Sequence, residues 1–355
     1  MSQSETELLV IGAGLIGLAS AWALRRAGRR VRVLDAAAPG AGASGVAAGM
    51  LAALCEAPEL PPELITDAIE SAARWPEFAA ELQAASGLSC DLRRDGTLFA
   101  AMDRDELVEL ERAVRVLAAR GLAYEPLRVA EVRARAPRLH PRLAGGLWAP
   151  NDHHVDAQAT VAALVTALGR LDVPIETGAR ILRLETEPAL VAFDEHGRRH
   201  RAEQILVAAG AWTAELVAPW RALDLVPVKG QVVVLHGEPL LDCVVRTPRV
   251  YLVPRAHGRL VVGASMEEQG FDTRPSAGAV MNLLREAWRA LPASQDLFIE
   301  ALRSGLRPML PSGVPLLGHV HPQIAVATGH HRHGVLLTPL TAARVAAGMT
   351  GGGWG

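Results

Sequence analysis

Lysine, tyrosine and cysteine are scarce in this sequence. It has two tyrosines and a single lysine, Lys229, among 36 basic residues, and its three cysteines stand far apart at positions 55, 90 and 243. The cysteines form no CxxC pair and no even-numbered set, which argues against a disulfide framework and favours a reduced compartment. We therefore expect a cytoplasmic protein.

An excess of either charge is also absent, because 36 Lys and Arg residues face 38 Asp and Glu residues. This balance gives no basic footprint for nucleic acid and no attraction to an anionic membrane. A run without charges extends from Leu8 to Leu24, but Glu5 and Glu7 precede it where a signal peptide would carry basic residues. The run is marginal for a membrane span and glycines interrupt it, so we expect no membrane partner.

What the sequence does contain is a dinucleotide-binding fingerprint near its start. An apolar strand at 8–11 leads into GAGLIG at 12–17, a helical stretch follows, and a second strand ends at Asp35. In this motif the first glycine permits the tight turn, the second lets a pyrophosphate approach the backbone, and the third lets the helix pack on the strand. Asp35 would accept hydrogen bonds from the ribose hydroxyls of an adenosine.

The fingerprint alone does not choose between FAD and NAD, but two later segments favour FAD. One is the small-residue stretch at 40–50, whose backbone could lie close to a bulky cofactor. The other is the apolar strand at 204–209, which ends in Gly210 and Trp212.

A series of further motifs follows in the order found in one enzyme family. They are PVKGQ at 227–231, YLVPR at 251–255, GASM at 263–266, GLRP at 305–308 and GHHRHG at 329–334. Together with the segments above, they resemble the D-amino-acid oxidase branch of FAD-dependent amine oxidoreductases. The likeness is strongest to the glycine oxidases of thiazole (thiamine) biosynthesis, and it covers nearly the whole chain.

This resemblance implies an α/β fold (α+β overall) with two interleaved domains. A Rossmann-like FAD-binding domain would take residues 1–86, 145–223 and 304–355, and a strand-rich substrate domain would take residues 87–144 and 224–303. The resemblance also implies a homo-oligomer.

By the family's pattern, the cofactor would be held by the glycine turn, the second strand, the small-residue stretch, the middle of the chain and the C-terminal motif. The residues assigned to it are Gly12, Gly14, Leu15, Ile16, Gly17, Asp35, Ala36, Ala43, Ser44, Ala48, Gly49, Met50, Ile181, Gly210, Trp212, His330, His331, Arg332, His333, Gly334, Val335 and Leu336. An apolar segment at 335–349 is predicted to be a helix whose N-terminus points at the flavin. No cysteine follows Cys243, so FAD is expected to be non-covalent.

For the substrate, the resemblance makes Arg307 the clamp for a carboxylate and Tyr251 its helper, since a guanidinium matches a carboxylate with paired donors. A buried structural tyrosine is the alternative for Tyr251. Arg332 would lie beside the substrate, with a simple helix-start arginine as its alternative.

Three further residues match positions that line the family's pocket. Met50 and Met266 are interpreted as pocket residues or as ordinary core. Arg249 stands where some relatives have histidine, which affects the size and polarity of the pocket on the amine side.

Histidines are the remaining candidates for chemistry. They form one group, His319, His321, His330, His331 and His333, and one pair, His153 and His154. No Cys, Asp or Glu stands at ligand spacing beside them, so no metal is expected.

The leading functional prediction is therefore an FAD-dependent oxidase of glycine, sarcosine or small D-amino acids. It would use O2 and form a 2-oxo acid, ammonia and hydrogen peroxide. An FAD dehydrogenase that passes electrons to another acceptor, an NAD-linked dehydrogenase and a non-catalytic nucleotide-binding protein remain alternatives.

Overall fold

The protein's structure, a computed structural model, describes residues 6–118, 122 and 124–354. The parts of the predicted domains that fall on residues 1–5, 119–121, 123 and 355 lie outside the described residues. No helix within the described ranges is long and apolar enough to cross a membrane.

Strands make up two large sheets and one small one. In chain order they are β1 (Thr6–Ile11), β2 (Val31–Leu34), β3 (Met50–Leu51), β4 (Thr97–Ala101), β5 (Glu125–Leu127), β6 (Gly145–Ala149), β7 (His153–His154), β8 (Ile175–Glu176), β9 (Ile181–Glu185), β10 (Val191–Asp194), β11 (Arg199–Val207), β12 (Val226–His236), β13 (Val244–Arg246), β14 (Tyr251–Pro254), β15 (Arg259–Gly263), β16 (Phe298–Met309), β17 (Leu316–His321) and β18 (Ile324–Thr328).

Helices cover these sheets. They are α1 (Leu15–Arg26), α2 (Ala43–Val46), α3 (Ala53–Glu56), α4 (Pro62–Ser86), α5 (Arg104–Ala118), α6 (Val129–Arg135), α7 (Ala157–Arg170), α8 (Thr213–Val217), α9 (Ala277–Ala290) and α10 (Thr338–Met349), with short 3-10 turns at Ala57–Glu59, Gly210–Trp212, Ala256–Gly258, Pro292–Asp296 and His331–His333.

The first sheet has the order β17-β18-β11-β1-β2-β8, and β10 and β9 extend from β11. Its centre is parallel, because β1 pairs in parallel with both β11 and β2. The residues of β1 from Leu8 to Ile11 are all buried, as expected for a central parallel strand covered on both faces. Helices α1, α7, α4 and α10 pack together on one side of this sheet.

The second sheet has the order β16-β12-β15-β14-β13-β4-β6-β5. Its longest pairing joins β12 and β16 antiparallel from Val226↔Met309 to His236↔Phe298. The chain enters this sheet at β4, returns to the first sheet at β8, and crosses again for β12. The α/β fold with two interleaved parts, predicted from the resemblance, is therefore confirmed.

Two predicted domain boundaries do not coincide with the division of the strands between the two sheets. β6 begins at Gly145, where the prediction returned to the cofactor domain, yet β6 pairs with β4 and β5 in the second sheet. β16 runs through the boundary between 303 and 304 as one continuous strand. The division into domains itself stays a prediction.

The C-terminal helix begins later than the sequence predicted. α10 starts at Thr338 with Pro339 in its first turn, whereas the apolar pattern predicted a helix from Val335. A 3-10 turn at His331–His333 precedes it. Proline favours the first turn of a helix because its missing N–H has no intrahelical partner there.

Candidate active site

A cavity of about 720 Å³ extends from the end of β1 to the face of the second sheet. Every residue that the sequence assigned to the cofactor or the substrate lines this cavity, except Gly17. Residues from both ends of the chain therefore meet around one space, although their individual roles stay predictions.

The turn after β1 explains why Gly17 is absent from the lining. A Cβ atom on Gly17 would lie 1.9 Å from the Gly12 carbonyl oxygen, so this glycine lets α1 pack against the turn. Gly12 has a φ of 111°, and a Cβ atom there would lie 2.3 Å from the Ala208 carbonyl oxygen. Gly14 lines the cavity at the N-cap of α1. The turn needs glycine for backbone conformation and close approach.

Asp35 stands at the end of β2 and faces the start of α1. Its Oδ2 accepts a hydrogen bond from the Ala13 N–H at 2.5 Å, and its Oδ1 accepts one from the Ala37 N–H at 2.8 Å. Nearby, the Leu15 N–H donates to the Ser44 hydroxyl at 3.0 Å. This end of the cavity is thus built from backbone N–H groups, small residues and one carboxylate.

At the other end, Arg307 and Tyr251 lie over glycines in neighbouring strands. A Cβ atom on Gly230 of β12 would lie 2.3 Å from Cζ of Arg307, and one on Gly263 of β15 would lie 2.4 Å from the ring of Tyr251. Glycine inside a strand often marks a place where another group approaches the backbone closely. The two glycines make room for both side chains on the sheet.

Arg307 has no carboxylate partner among the ion pairs of the residues that the structure describes. Its Nη1 donates to the Ser265 carbonyl oxygen at 3.1 Å. Burial raises the pKa of Tyr251, although the charge of Arg307 opposes that rise. The phenol therefore stays protonated at neutral pH and remains able to donate a hydrogen bond beside the guanidinium.

A group of charged side chains that the sequence did not predict lies next to this pair. Glu56 Oε1 accepts from Arg246 at 2.9 Å, and Glu56 Oε2 lies 2.9 Å from Nδ1 of His333. Arg332 pairs with both Glu56 and Glu59. Glu56, Glu59 and Arg246 also line the cavity.

The network fixes the ionisation of Glu56. Burial alone would raise the pKa of this carboxyl, but the charges of Arg332, His333 and Arg246 lower it well below the ordinary value of 4.5. Arg332 is thereby neutralised by its acidic partners. Arg307 is the guanidinium that remains without a carboxylate, and this is the difference between the two predicted substrate arginines.

Two histidines of the C-terminal motif, His330 and His331, are held as neutral groups. Burial lowers the pKa of His330 to about 3 and that of His331 to about 4. Nε2 of His330 lies 3.0 Å from the Thr341 hydroxyl. No three His, Cys, Asp or Glu side chains come together as a metal site within the described part of the chain, and the expectation of no metal stays a prediction.

The three remaining predicted residues lie at the edge of the substrate end. Met50 is half-buried on β3, whereas Met266 is 61% exposed and is therefore not core. The side chain of Arg249 is 60% exposed, and its Nε lies 3.4 Å from Glu106. Glu106 also forms an ion pair with Arg289 at 2.6 Å, so the Glu106 carboxylate is shared between Arg249 and Arg289.

Five residues of this site were not among the predicted site residues. Two of them could have been identified from the sequence, and three could not. Gly230 and Gly263 are isolated glycines within apolar strand patterns, which is a readable sign of close approach. Glu56, Glu59 and Arg246 carry no such sign, because their partners come from segments far away in the sequence.

Comparisons with known proteins agree with this geometry. The family model described as DAO, FAD dependent oxidoreductase, matches residues 7–348. A glycine oxidase of Geobacillus kaustophilus is 34% identical over 347 residues, which cover 96% of this chain and 92% of that relative. A bifunctional protein ThiO/ThiG of Trichormus variabilis is 32% identical over 96% of this chain. The chain spans 52% of that relative's length.

Among solved structures, a crystal structure of glycine oxidase from Geobacillus kaustophilus superimposes with a TM-score of 0.92. The two chains are 33% identical, and the match covers 98% of this chain and 95% of that one. The similarity therefore extends over both sheets.

The residues present fit an FAD. Gly12 and Gly17 are positions where a Cβ would collide with backbone, so the turn is shaped for close packing around a helix N-terminus. Gly14, Leu15 and Ser44 line the cavity beside that N-terminus, which is suited to a pyrophosphate. Asp35 lies at the end of the next strand, where an adenosine ribose is bound in this kind of turn. The other end of the cavity leaves space for the flavin beside Arg307 and Tyr251.

Proposed function

The chain belongs to the DAO family of FAD-dependent oxidoreductases, and on that premise we propose that it oxidises glycine and other small amino acids. The substrates are glycine, sarcosine and small D-amino acids, and O2 is reduced to hydrogen peroxide while the substrate becomes a 2-oxo acid. The nitrogen leaves as ammonia from a primary amino acid such as glycine and as methylamine from sarcosine. The family membership decides for FAD over the NAD-linked alternative.

The observation that supports this proposal is the environment of Arg307. It is a cavity-lining guanidinium with a backbone carbonyl as its hydrogen-bond partner and a protonated tyrosine beside it. An amino-acid carboxylate supplies the missing counter-charge and accepts two parallel hydrogen bonds. Arg332 is less suited to this role because Glu56 and Glu59 already neutralise it.

Bound FAD supplies the acceptor for the hydride that leaves the substrate Cα. The protein's own part is to place that carbon. Arg307 binds the carboxylate, Tyr251 donates a hydrogen bond to it, and the sheet beneath them prevents either side chain from moving away. Loss of this hydride and of a proton from the nitrogen leaves an imine, which water hydrolyses to the 2-oxo acid and ammonia, or methylamine in the case of sarcosine.

The wider biological setting is also part of the proposal. Similarity to a ThiO/ThiG protein and to glycine oxidases supports a role in thiamine biosynthesis. FAD is held non-covalently, and the protein is a cytoplasmic homo-oligomer. The buried, unpaired thiols of Cys55, Cys90 and Cys243 are in keeping with a reduced compartment.

One assay tests the reaction and separates it from its alternatives. Purified holoenzyme is given glycine, sarcosine, D-alanine and D-proline in air, and peroxide and 2-oxo acid are measured together. Peroxide in equal amount to the 2-oxo acid is expected. Product formed only with an added electron-accepting dye identifies a dehydrogenase instead, and no flavin reduction by any of the four under anaerobic conditions contradicts the proposal.

A further inference from the structure

Arg255 is a buried arginine whose positive charge has no acidic partner in direct contact. It is 8% exposed and follows β14 directly in the second sheet. None of the ion pairs formed by the described residues includes it, which distinguishes it from Arg246, Arg332 and Arg344. Burial lowers the pKa of Arg255 to about 10, so it still carries its charge at neutral pH.

All of its side-chain hydrogen bonds go to residues outside the second sheet. Nη2 donates to the carbonyl oxygens of Ala48 and of Val155, the latter at 2.6 Å, and Nη1 lies 2.5 Å from Nδ1 of His154. Burial lowers the pKa of His154 to about 3, so this histidine is neutral and accepts at Nδ1. One guanidinium therefore joins β14 to two other stretches of the chain.

One of those stretches is the segment 47–50, which forms a wall of the cavity. Ala47, Ala48, Gly49 and Met50 all line the cavity. Gly49 has a φ of 72°, and a Cβ atom there would lie 2.8 Å from Nη2 of Arg255 and 1.9 Å from the Val155 carbonyl oxygen. The segment is thus folded tightly around the guanidinium.

Arg255 lies on the same face of β14 as Tyr251, the residue predicted to contact the substrate. Residues two apart in a strand face the same side, which places Tyr251, Val253 and Arg255 on one face. Val253 packs in a cluster with Ala48 and Met50, and Tyr251 belongs to the same cluster. Arg255 is the polar end of the face that supports segment 47–50.

We propose that Arg255 is a positioning residue, which fixes segment 47–50 against the second sheet and thereby sets the affinity and geometry of FAD binding. A buried cation with no acidic group in contact is costly, and here Asp91 and Asp156 act on its charge only from a longer distance. Of its three acceptors, Ala48 lies in the cavity wall, and His154 and Val155 pair with Met50 and Gly49 of that wall. This role does not depend on which amino acid the enzyme oxidises.

The test compares Arg255→Met and Arg255→Lys with the wild-type holoenzyme. The FAD dissociation constant is measured from the fluorescence of FAD released on serial dilution, and the visible circular dichroism of bound flavin reports its surroundings. We expect Arg255→Met to raise the dissociation constant roughly 10- to 100-fold, because hydrogen bonds from a charged donor are lost. Arg255→Lys is expected to fall between the two, since an ammonium reaches fewer of the acceptors.

Lys229→Met is the matched control. Lys229 is 1% exposed, and its Nζ donates to the Gln269 side chain and to the Arg274 carbonyl oxygen, neither of which lines the cavity. It should lower the melting temperature as another lost buried cation does, yet keep the FAD dissociation constant within about threefold of wild type. Equal weakening of FAD binding in Lys229→Met and Arg255→Met would show that Arg255 acts only through general stability.

If Arg255→Met does not fold, the comparison of Arg255→Lys with wild type tests the proposal. In that case Arg255→Lys decides, since it retains the buried charge. A dissociation constant raised about tenfold, with an altered flavin dichroism, supports the proposal, and wild-type values for both overturn it. A wild-type protein that binds FAD but oxidises no amino acid would contradict the proposed function and leave this test intact.

Discussion

The two ends of the cavity are built in different ways. At the end near β1, residues 12–44 contribute backbone N–H groups, glycines and Asp35, and residues 179–182 and 208–212 complete the lining. The end on the second sheet consists of charged side chains from α3, β13, β16 and the turn before α10. We expect the first, shape-selective end to bind its ligand chiefly by fit and the second, charge-selective end to bind chiefly by ion pairing. Substitutions should therefore fail in different ways at the two ends.

The largest effect is expected at the shape-selective end, from Gly14→Val. A Cβ atom at Gly14 would lie 3.2 Å from the Ser44 hydroxyl, and the branches of valine would extend into the cavity that Gly14 lines. We expect a folded protein that purifies without flavin, as judged by its visible spectrum. Gly169→Ala is the control, because nothing lies within 4 Å of that Cβ position. A normal flavin content in Gly14→Val would place the pyrophosphate elsewhere.

At the charge-selective end, Arg307→Ala should keep its flavin but lose amino-acid oxidation. Removing one partner of a buried charge pair costs about 2–5 kcal/mol, which corresponds to a loss of roughly 30- to several-thousand-fold in kcat/KM. Arg307→Lys should recover part of the activity, and an amine without a carboxylate should be affected less. Steady-state kinetics on both substrate types provide the measurement.

Arg303→Ala is the control for that prediction. Arg303 lies on the same strand, β16, but does not line the cavity. Its kcat/KM should stay close to wild type. If Arg307→Ala stays within about threefold of wild type on every amino acid, the carboxylate is bound elsewhere, and Arg332 becomes the next candidate.

A smaller effect, on stability and pH dependence, is expected from Glu56→Gln. The folded pKa of Glu56 lies below its ordinary value of 4.5, so its stabilising contribution is complete above about pH 4.5 and declines as the pH falls below that value. The variant should melt several degrees below wild type at pH 7, and this difference should shrink toward pH 3. Thermal unfolding at a series of pH values measures it.

Glu238→Gln provides the comparison for Glu56→Gln. Glu238 pairs with Arg138 at 2.5 Å but is 68% exposed, and exposed ion pairs contribute little to stability. Its melting temperature should stay close to wild type at every pH. A gap between Glu56→Gln and wild type that does not change with pH would mean that the carboxylate's charge is not what stabilises the network.

The smallest effect is expected from Arg249→Ala. The side chain is 60% exposed and its ion pair with Glu106 is long, so the loss is worth at most about 1 kcal/mol. We expect kcat/KM for glycine to change less than about fivefold. A loss as large as that of Arg307→Ala would show that both arginines bind the substrate.

The strands and helix of the shape-selective end could be predicted from the sequence because their signals are local. A strand, a glycine turn, a helix and a terminal aspartate follow one another within thirty or so residues, and each residue's position is dictated by its neighbours in the chain. The start of α10 was predicted three residues too early because an apolar pattern continues through Val335, while Pro339 sets the first turn. The pairing of β6 with β4 and β5 could not be predicted, because a strand's own residues do not specify its partner.

By itself, therefore, the sequence determined the fold class, the family and the position of the dinucleotide turn. Only the tertiary structure decided which of the two predicted substrate arginines, Arg307 and Arg332, remains without a carboxylate. Glu56 and Glu59 neutralise Arg246 and Arg332 because α3, β13 and the turn before α10 meet in space, far from one another along the chain. It also decided that Arg255, buried without an acidic partner, would hold a wall of the cavity. Charge neutralisation depends on distances between side chains, and those distances are fixed by the packing of the sheets and helices.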